Sequence, residues 1–386
     1  MKESVGQGST LVDRLAAPSE RKLGWSPTLD GARGISVSLI MIFHFSGDYG
    51  FYVKSFPIAV DLFFVLSGFL ITTLLFEERQ KRGNNSLRDF YLRRVFRLFP
   101  ALYSLLGVFL LYIIVLGGDD RTRLFHEFLA AGLYSYNFFV AWTGVAGQVL
   151  VQLWTLSVEE QFYFVWPIAF IWVMKSMSVI RLRILLTFMI GFVILWPVLR
   201  MTLEPELGAR TLSSFLFGIS IMRPDSIVLG CLAAMLFRIE PIHLTERAQR
   251  LARLSGDIAM VIFVMALCLG GFPHFGPFVS GFANLAVLVL AFWVVDLVRN
   301  PDRLVARLLA HPVLVWLGKR SYGLYIWHML VFFVVHGAVA GAMPGRTRLA
   351  VITAGPIAYA ATVGVAMLSW KYVESPALVI KKRFQR

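Results

Sequence analysis

Residues 32–45 read ARGISVSLIMIFHF, and how this stretch is read decides the fold. The run is apolar enough to enter a bilayer, yet it opens beside Arg33 and keeps His44 near its end. It belongs to an apolar segment over about 34–52, and further segments follow near 57–76, 98–117, 124–143, 159–174, 184–203, 224–237, 257–272, 278–298, 321–342 and 350–370. Several approach the roughly 20 residues that a helix needs to cross the hydrocarbon core. Composition agrees, because charged residues make up 16% of the chain and hydrophobic ones 58%, where a soluble domain carries about a quarter charged. The mean hydropathy is +0.70. The predicted fold is an all-α, polytopic integral membrane protein rather than a soluble globular domain.

A net charge of +14 would suit nucleic acid if the basic residues shared one polar face. They lie instead in clusters between apolar runs, as the positive-inside rule places them, so no nucleic-acid partner is predicted. Most of the 37 Lys and Arg residues fall into alternate loops if one run makes no net crossing. The run 124–143 is that one, since it carries His126, Glu127, Tyr134, Ser135 and Asn137. The expectation is therefore about ten transmembrane helices plus one re-entrant segment, with both termini cytoplasmic. Residues 1–27 read as a polar tail without a cleavable signal peptide. Residues 28–378 read as one membrane domain and 379–386 as a basic tail. Cys231 and Cys268 both fall in apolar runs, which gives no disulfide framework and no metal-ligand spacing.

Arg33 and His44 stand eleven residues apart, three helical turns plus about 20°, so both point the same way with His44 roughly 16 Å deeper. An ionisable group at that depth costs a few kcal/mol unless it faces a cavity or a partner. Alone, Arg33 reads as an interface anchor and His44 as a histidine bonded to a neighbouring helix; aligned on one face, they point to chemistry. In VDLFFVLSGFL, Asp61 either orients His44 or caps its own helix, and Ser67-Gly68 reads as a close-packing device. In FYLRRVFRLFP, Arg93, Arg94 and Arg97 suit phosphate oxygens, with a lipid-headgroup anchor as the plain alternative. LWTLSVEEQFYFVWP sets Glu159 and Glu160 at the expected mouth of a helix, after a cap at Ser157 and beside Trp154. Two adjacent acids among aromatics exceed what capping requires, so one is a candidate acid or base. Arg223 and Asp225 in MRPDSIVLGCL form an expected ion pair, and His328 lies within RSYGLYIWHML among Tyr322, Tyr325 and Trp327. Glu374 in WKYVESPAL reads as a structural stop.

Taken in order, LDGARGISVSLIMIFHF, VDLFFVLSGFL, FYLRRVFRLFP, LWTLSVEEQFYF, RPDSIVLGCL, RSYGLYIWHM and KYVESPAL resemble acyltransferase family 3. The resemblance runs from about residue 28 to 378, with Thr155 where the family commonly has serine. It implies a polytopic bacterial enzyme of the plasma membrane that moves an acyl group, usually acetyl, from acyl-coenzyme A to a hydroxyl. Acceptors in the family include surface polysaccharides, peptidoglycan, glycolipids and macrolides, and no metal is implied. Carried onto this sequence, the resemblance places donor phosphates on Arg93, Arg94 and Arg97 and the chemistry on His44, as general base or acyl carrier. Arg33, Asp61 and Glu159 then support His44, while Trp154, Glu160, Arg223, Asp225 and His328 are candidate substrate contacts. An acyl group with its own carboxylate would call for a further cation, Lys54 or Arg223. A transporter of a sugar conjugate or organic anion is the second reading. It lacks the inverted repeat and the matched pair of broken helices that such folds carry.

Overall fold

The computed structural model describes residues 23–46, 58–144, 147–176, 179–202, 222–238, 254, 257–258, 261 and 276–383. Most of the N-terminal tail, Lys54, Cys268, most of the expected 257–272 run and the last three residues lie outside these. Every regular element described is helical: α1 (Pro27–Ser46), α2 (Ile58–Arg82), α3 (Leu87–Leu116), α4 (Arg121–Gly132), α5 (Tyr136–Thr143), α6 (Leu153–Ser176) and α7 (Val179–Thr202). The remainder are α8 (Pro224–Arg238), α9 (Gly276–Arg299), α10 (Leu304–Leu309), α11 (Pro312–Lys319), α12 (Ser321–Ala342), α13 (Thr347–Ser369) and α14 (Ser375–Arg383), with a π-helical turn over Trp370–Glu374.

By length and composition, five helices among the described residues suit a membrane crossing: α2, α3, the Val179–Leu199 part of α7, α12, and the continuous Thr347–Val379 rod. That is fewer than the expected ten; most of the expected 257–272 run lies outside the described residues, and within them the shortfall has physical causes. Asp30, Arg33 and His44 interrupt the apolar run of α1, and Glu159 and Glu160 interrupt that of α6. The helices that carry the candidate chemistry lose hydropathy because of it. α8 has the composition but only 15 residues, and the 124–143 run is split into helices of 12 and 8 residues, too short to cross singly. Tyr134, with φ 52°, makes the break between them.

Helix starts also differ from the edges of the apolar runs, for reasons the caps explain. Ser26 accepts a hydrogen bond from the Leu29 N–H, and Pro27 supplies the first turn, so α1 begins seven residues before its apolar run. Arg33 therefore sits inside the helix, on the same rigid rod as His44. Ser86 caps α3 by accepting from Asp89 N (3.2 Å), which places Arg93, Arg94 and Arg97 in helical turns rather than a loop. α6 starts at Leu153, so Glu159 and Glu160 stand two turns inside it and not at its mouth. Ser157, the expected cap, is interior too: it donates to Leu153 O (2.9 Å) and accepts from Tyr136 N (3.2 Å).

The bundle is layered around α2, whose apolar window is 78% buried, while that of α7 is only 17% buried and presents Ile184, Phe188, Leu195 and Val198 outward. Such an apolar exterior is what lipid tails solvate. α2 and α8 meet backbone to backbone: a Cβ on Gly68 would run into the Ile227 carbonyl, and one on Gly230 into that of Val65. Small residues permit this approach where no hydrophobic effect drives helices together. α6 is clamped from the side, since Asn137 and Gln161 exchange amide hydrogen bonds (3.0 and 2.9 Å) and Gln161 also donates to Tyr134 O. The short α4–α5 segment thus fixes the helix that bears Glu159.

Candidate active site

Two histidines from helices far apart in sequence meet inside the bundle. His44 Nδ1 lies 3.0 Å from Ile40 O on its own helix and 3.2 Å from Nε2 of His328 on α12. His328 Nδ1 lies 2.6 Å from Tyr325 O. A carbonyl oxygen only accepts, so each Nδ1 carries the hydrogen, and both rings take the same tautomer when neutral. The Nε2 of His328 is then an acceptor for His44. The Nε2 of His44 keeps a free lone pair and has no protein partner among the described residues. His328 is fully buried, while His44 is half-buried.

Arg33 stands three turns below His44 and lines two adjoining spaces. One is a narrow cavity between α1, α2, α6 and α12, with Ile40, Phe63, Thr155 and Tyr325 in its wall. The other is an open cleft that adds Ser67, Arg94, Arg97, Glu160 and Tyr163. Arg33, Leu156, Glu159 and Tyr322 belong to both, so the cleft leads into the cavity past these four side chains.

The arginine cluster divides by partner. Arg93 bonds Glu78 (3.0 Å) and Arg94 bonds Glu160 (3.0 Å), with Arg94 also stacked 3.2 Å over the Tyr163 ring. Among the described residues, Arg97 and Arg33 have no carboxylate partner, and both face the cleft. Two guanidinium groups open to one cleft have the chemistry that suits an anion. The spacing of the three arginines in the sequence shows their adjacency but not which of them the acids of neighbouring helices neutralise.

Glu159 Oε1 accepts from Tyr163 OH (2.6 Å) and from Ser67 Oγ, which makes Ser67 a carboxylate partner as well as a neighbour of the packing glycine. Ser67, Glu159, Tyr163, Arg94 and Glu160 thereby form one connected network across α2, α3 and α6. Neither expected carboxylate bonds His44. Asp61 accepts from Ser226 Oγ (2.7 Å) and pairs with Arg223 Nε (2.9 Å) where α2 and α8 begin. Arg223 thus reaches across to Asp61, with Asp225 buried beside them. Trp154 stands edge-on to Phe64 and, among the described residues, is not in the lining of either space. Glu374 is buried in the π-helical turn and accepts from Ser369 (3.0 Å).

Sequence reasoning named Tyr322, Tyr325 and Ser67 only as neighbours or packing residues and gave them no role in the site. Tyr322 donates to Leu98 O (2.6 Å), and Tyr325 OH lies 2.6 Å from Thr155 Oγ1 and bonds Gln152 O. The available signal was spacing, since Tyr322, Tyr325 and His328 recur every third residue on one face of a helix. Among the described residues, no group of three His, Cys, Asp or Glu side chains is placed to hold a metal ion.

A candidate O-acetyltransferase of Staphylococcus aureus strain MSSA476 is 30% identical over 378 residues, covering 92% of this chain and 58% of that protein. Peptidoglycan O-acetyltransferase OatA of Listeria monocytogenes is 27% identical over 360 residues, 91% of this chain and 55% of the other. A candidate peptidoglycan O-acetyltransferase of Bacillus subtilis, YrhL, is 28% identical over 317 residues, 78% and 48% respectively. The chain spans about half the length of the curated relatives it matches. No solved structure matches. The family model described as an acyltransferase domain matches residues 27–371, from the first turn of α1 into the π-helical turn, so the chain belongs to acyltransferase family 3.

Proposed function

We propose that this chain is a membrane-bound O-acyltransferase of the bacterial plasma membrane, carrying an acyl group from acyl-coenzyme A to a hydroxyl of a cell-envelope glycan. Glycolipids and macrolides are further acceptor classes within the family, and the names of the Listeria and Bacillus relatives favour peptidoglycan. The chain would cross the bilayer about ten times, with the α4–α5 segment re-entrant and both termini cytoplasmic. The observation that carries this reading is the His44–His328 pair, set along one helix face above an arginine that opens into a cleft.

The chemistry follows from the tautomers. His44 Nε2 takes the proton of the acceptor hydroxyl as that oxygen attacks the thioester carbonyl. The oxygen–carbon bond forms, the carbon–sulfur bond breaks, and the imidazolium returns its proton to the leaving thiolate. While His44 is charged, its Nδ1–H donates to His328 Nε2, so the pair spreads the positive charge without a buried carboxylate. Arg33 and Arg97 hold donor phosphates, with Arg93 and Arg94 at their edge. Acetyl is favoured over succinyl, because Arg223 is engaged by Asp61.

Purified protein in proteoliposomes, given labelled acetyl-coenzyme A and a glycan acceptor, should yield acylated acceptor and free thiol. Translocation of the acceptor with no thiol release would favour the transporter reading.

A further inference from the structure

Residues 23–26, ahead of α1, line the open cleft together with Leu29, Asp30 and Arg33. The Leu23 N–H donates to Glu77 Oε1 on α2 (2.7 Å), and Gly24, with φ 56° in the left-handed region, makes the turn between that contact and α1. Trp25 then stands at the rim of the cleft with 67% of its surface exposed, yet its ring is held at the edge and over one face. Its Nε1–H donates to Asp30 Oδ2 (2.8 Å), and Lys319 Nζ lies over the ring, 4.4 Å from its centre. Lys319 reaches it because α11 meets α1 backbone to backbone, where a Cβ on Gly318 would run into the Asp30 carbonyl. An indole that only anchored the chain at the membrane surface would turn its N–H toward lipid headgroups. Here Asp30 takes the N–H, and the ring lines the cleft.

We infer that Trp25 is a stacking platform for the adenine ring of the donor, which lies on the face opposite Lys319. The inference rests on the acyl-transfer reading with a coenzyme A donor and adds to it a residue that sets donor specificity. Stacking suits an exposed site, because two flat rings exclude water without hydrogen bonds that solvent would compete for. By helix rise Arg33 is about 9 Å further along the axis of α1 than Pro27. A ribose bridges such a step, between a base at the rim and phosphates at Arg33 and Arg97. Lys319 brings positive charge beside the base, where coenzyme A carries its ribose phosphate. Trp25 lies ahead of residues 27–371, which the family model matches, so the platform is a feature of this chain's own N-terminal segment.

The test pairs a change in the protein with a change in the donor, using the full chain in proteoliposomes. Acetyl-phosphopantetheine keeps the thioester and a phosphate but lacks the nucleotide. The preference for acetyl-coenzyme A over this shorter donor, read as the ratio of kcat/KM values, should fall about tenfold in Trp25→Ala. Trp25→Phe, which keeps an aromatic face, should retain part of that preference. A second readout needs no turnover: adenosine 3′,5′-bisphosphate should quench the tryptophan fluorescence of the unaltered chain, and the quench should be lost in Trp25→Phe. An unchanged donor preference in Trp25→Ala would overturn the inference, because equal losses with both donors mark a structural anchor. A quench that is absent from the unaltered chain, or that persists in full in Trp25→Phe, would overturn it too. If Trp25→Ala fails to fold, or the shorter donor turns over too slowly to measure, the titration decides alone. No turnover with either donor beside a quench lost in Trp25→Phe would reject acyl transfer and leave the nucleotide platform standing.

Discussion

Replacing His328 with alanine removes the acceptor that faces His44 Nδ1 at 3.2 Å, and the cost can be worked from that bond. In the resting state both imidazoles are neutral, and the lost bond is worth about 1 kcal/mol, offset in part by the remaining bond to Ile40 O. In the transition state His44 is taking a proton, and the bond becomes charge-assisted, worth about 1.5–3 kcal/mol. Only the part made in the transition state changes kcat. The difference of about 0.5–2 kcal/mol means that His328→Ala should lower kcat by about 2- to 30-fold, with KM for the donor little changed. His328→Gln, whose side-chain oxygen can accept the same hydrogen, should recover part of the loss. The assay is initial-rate acyl transfer in membranes, at expression matched by immunoblot. Turnover of His328→Ala within twofold of the unaltered protein would refute the reasoning. A pure KM effect would do so equally, because it would place His328 in donor binding.

Other consequences are separable by readout. Arg97→Ala should raise donor KM about tenfold or more through loss of a charge-assisted contact, while Arg93→Ala, already engaged by Glu78, should change it far less; donor saturation curves distinguish the two. Arg223→Ala leaves Asp61 buried without its ion-pair partner and should destabilise by about 3–5 kcal/mol. Adding Asp61→Asn should recover much of that, and a double-mutant cycle of thermal unfolding in detergent would measure the coupling.

The sequence made legible what one helix can hold. Arg33 and His44 share α1, so their spacing alone set them on one face, and only the start of the helix was misplaced because Ser26 and Pro27 cap it early. The same holds for Arg93 and Arg97 on α3. Contacts settled between helices leave no local signature in the chain. His328 lies 284 residues from His44, and no local pattern could select it over Asp61 or Glu159 as partner. Asp61 is engaged by Arg223 and Ser226 at the start of α8, which packs backbone to backbone on α2 at Gly68 and at Gly230. Glu159 reads as a helix mouth in the sequence because apolar runs mark where lipid begins, whereas α6 starts two turns before that.

The claim on which the rest depends is that His44 performs the proton transfer. The direct measurement is acyl transfer from labelled acetyl-coenzyme A by His44→Ala in membranes, at matched expression and with donor binding measured alongside. The account predicts a fall in kcat of about 10²- to 10⁴-fold with donor affinity retained through Arg33 and Arg97. Turnover equal to that of the unaltered chain would contradict it.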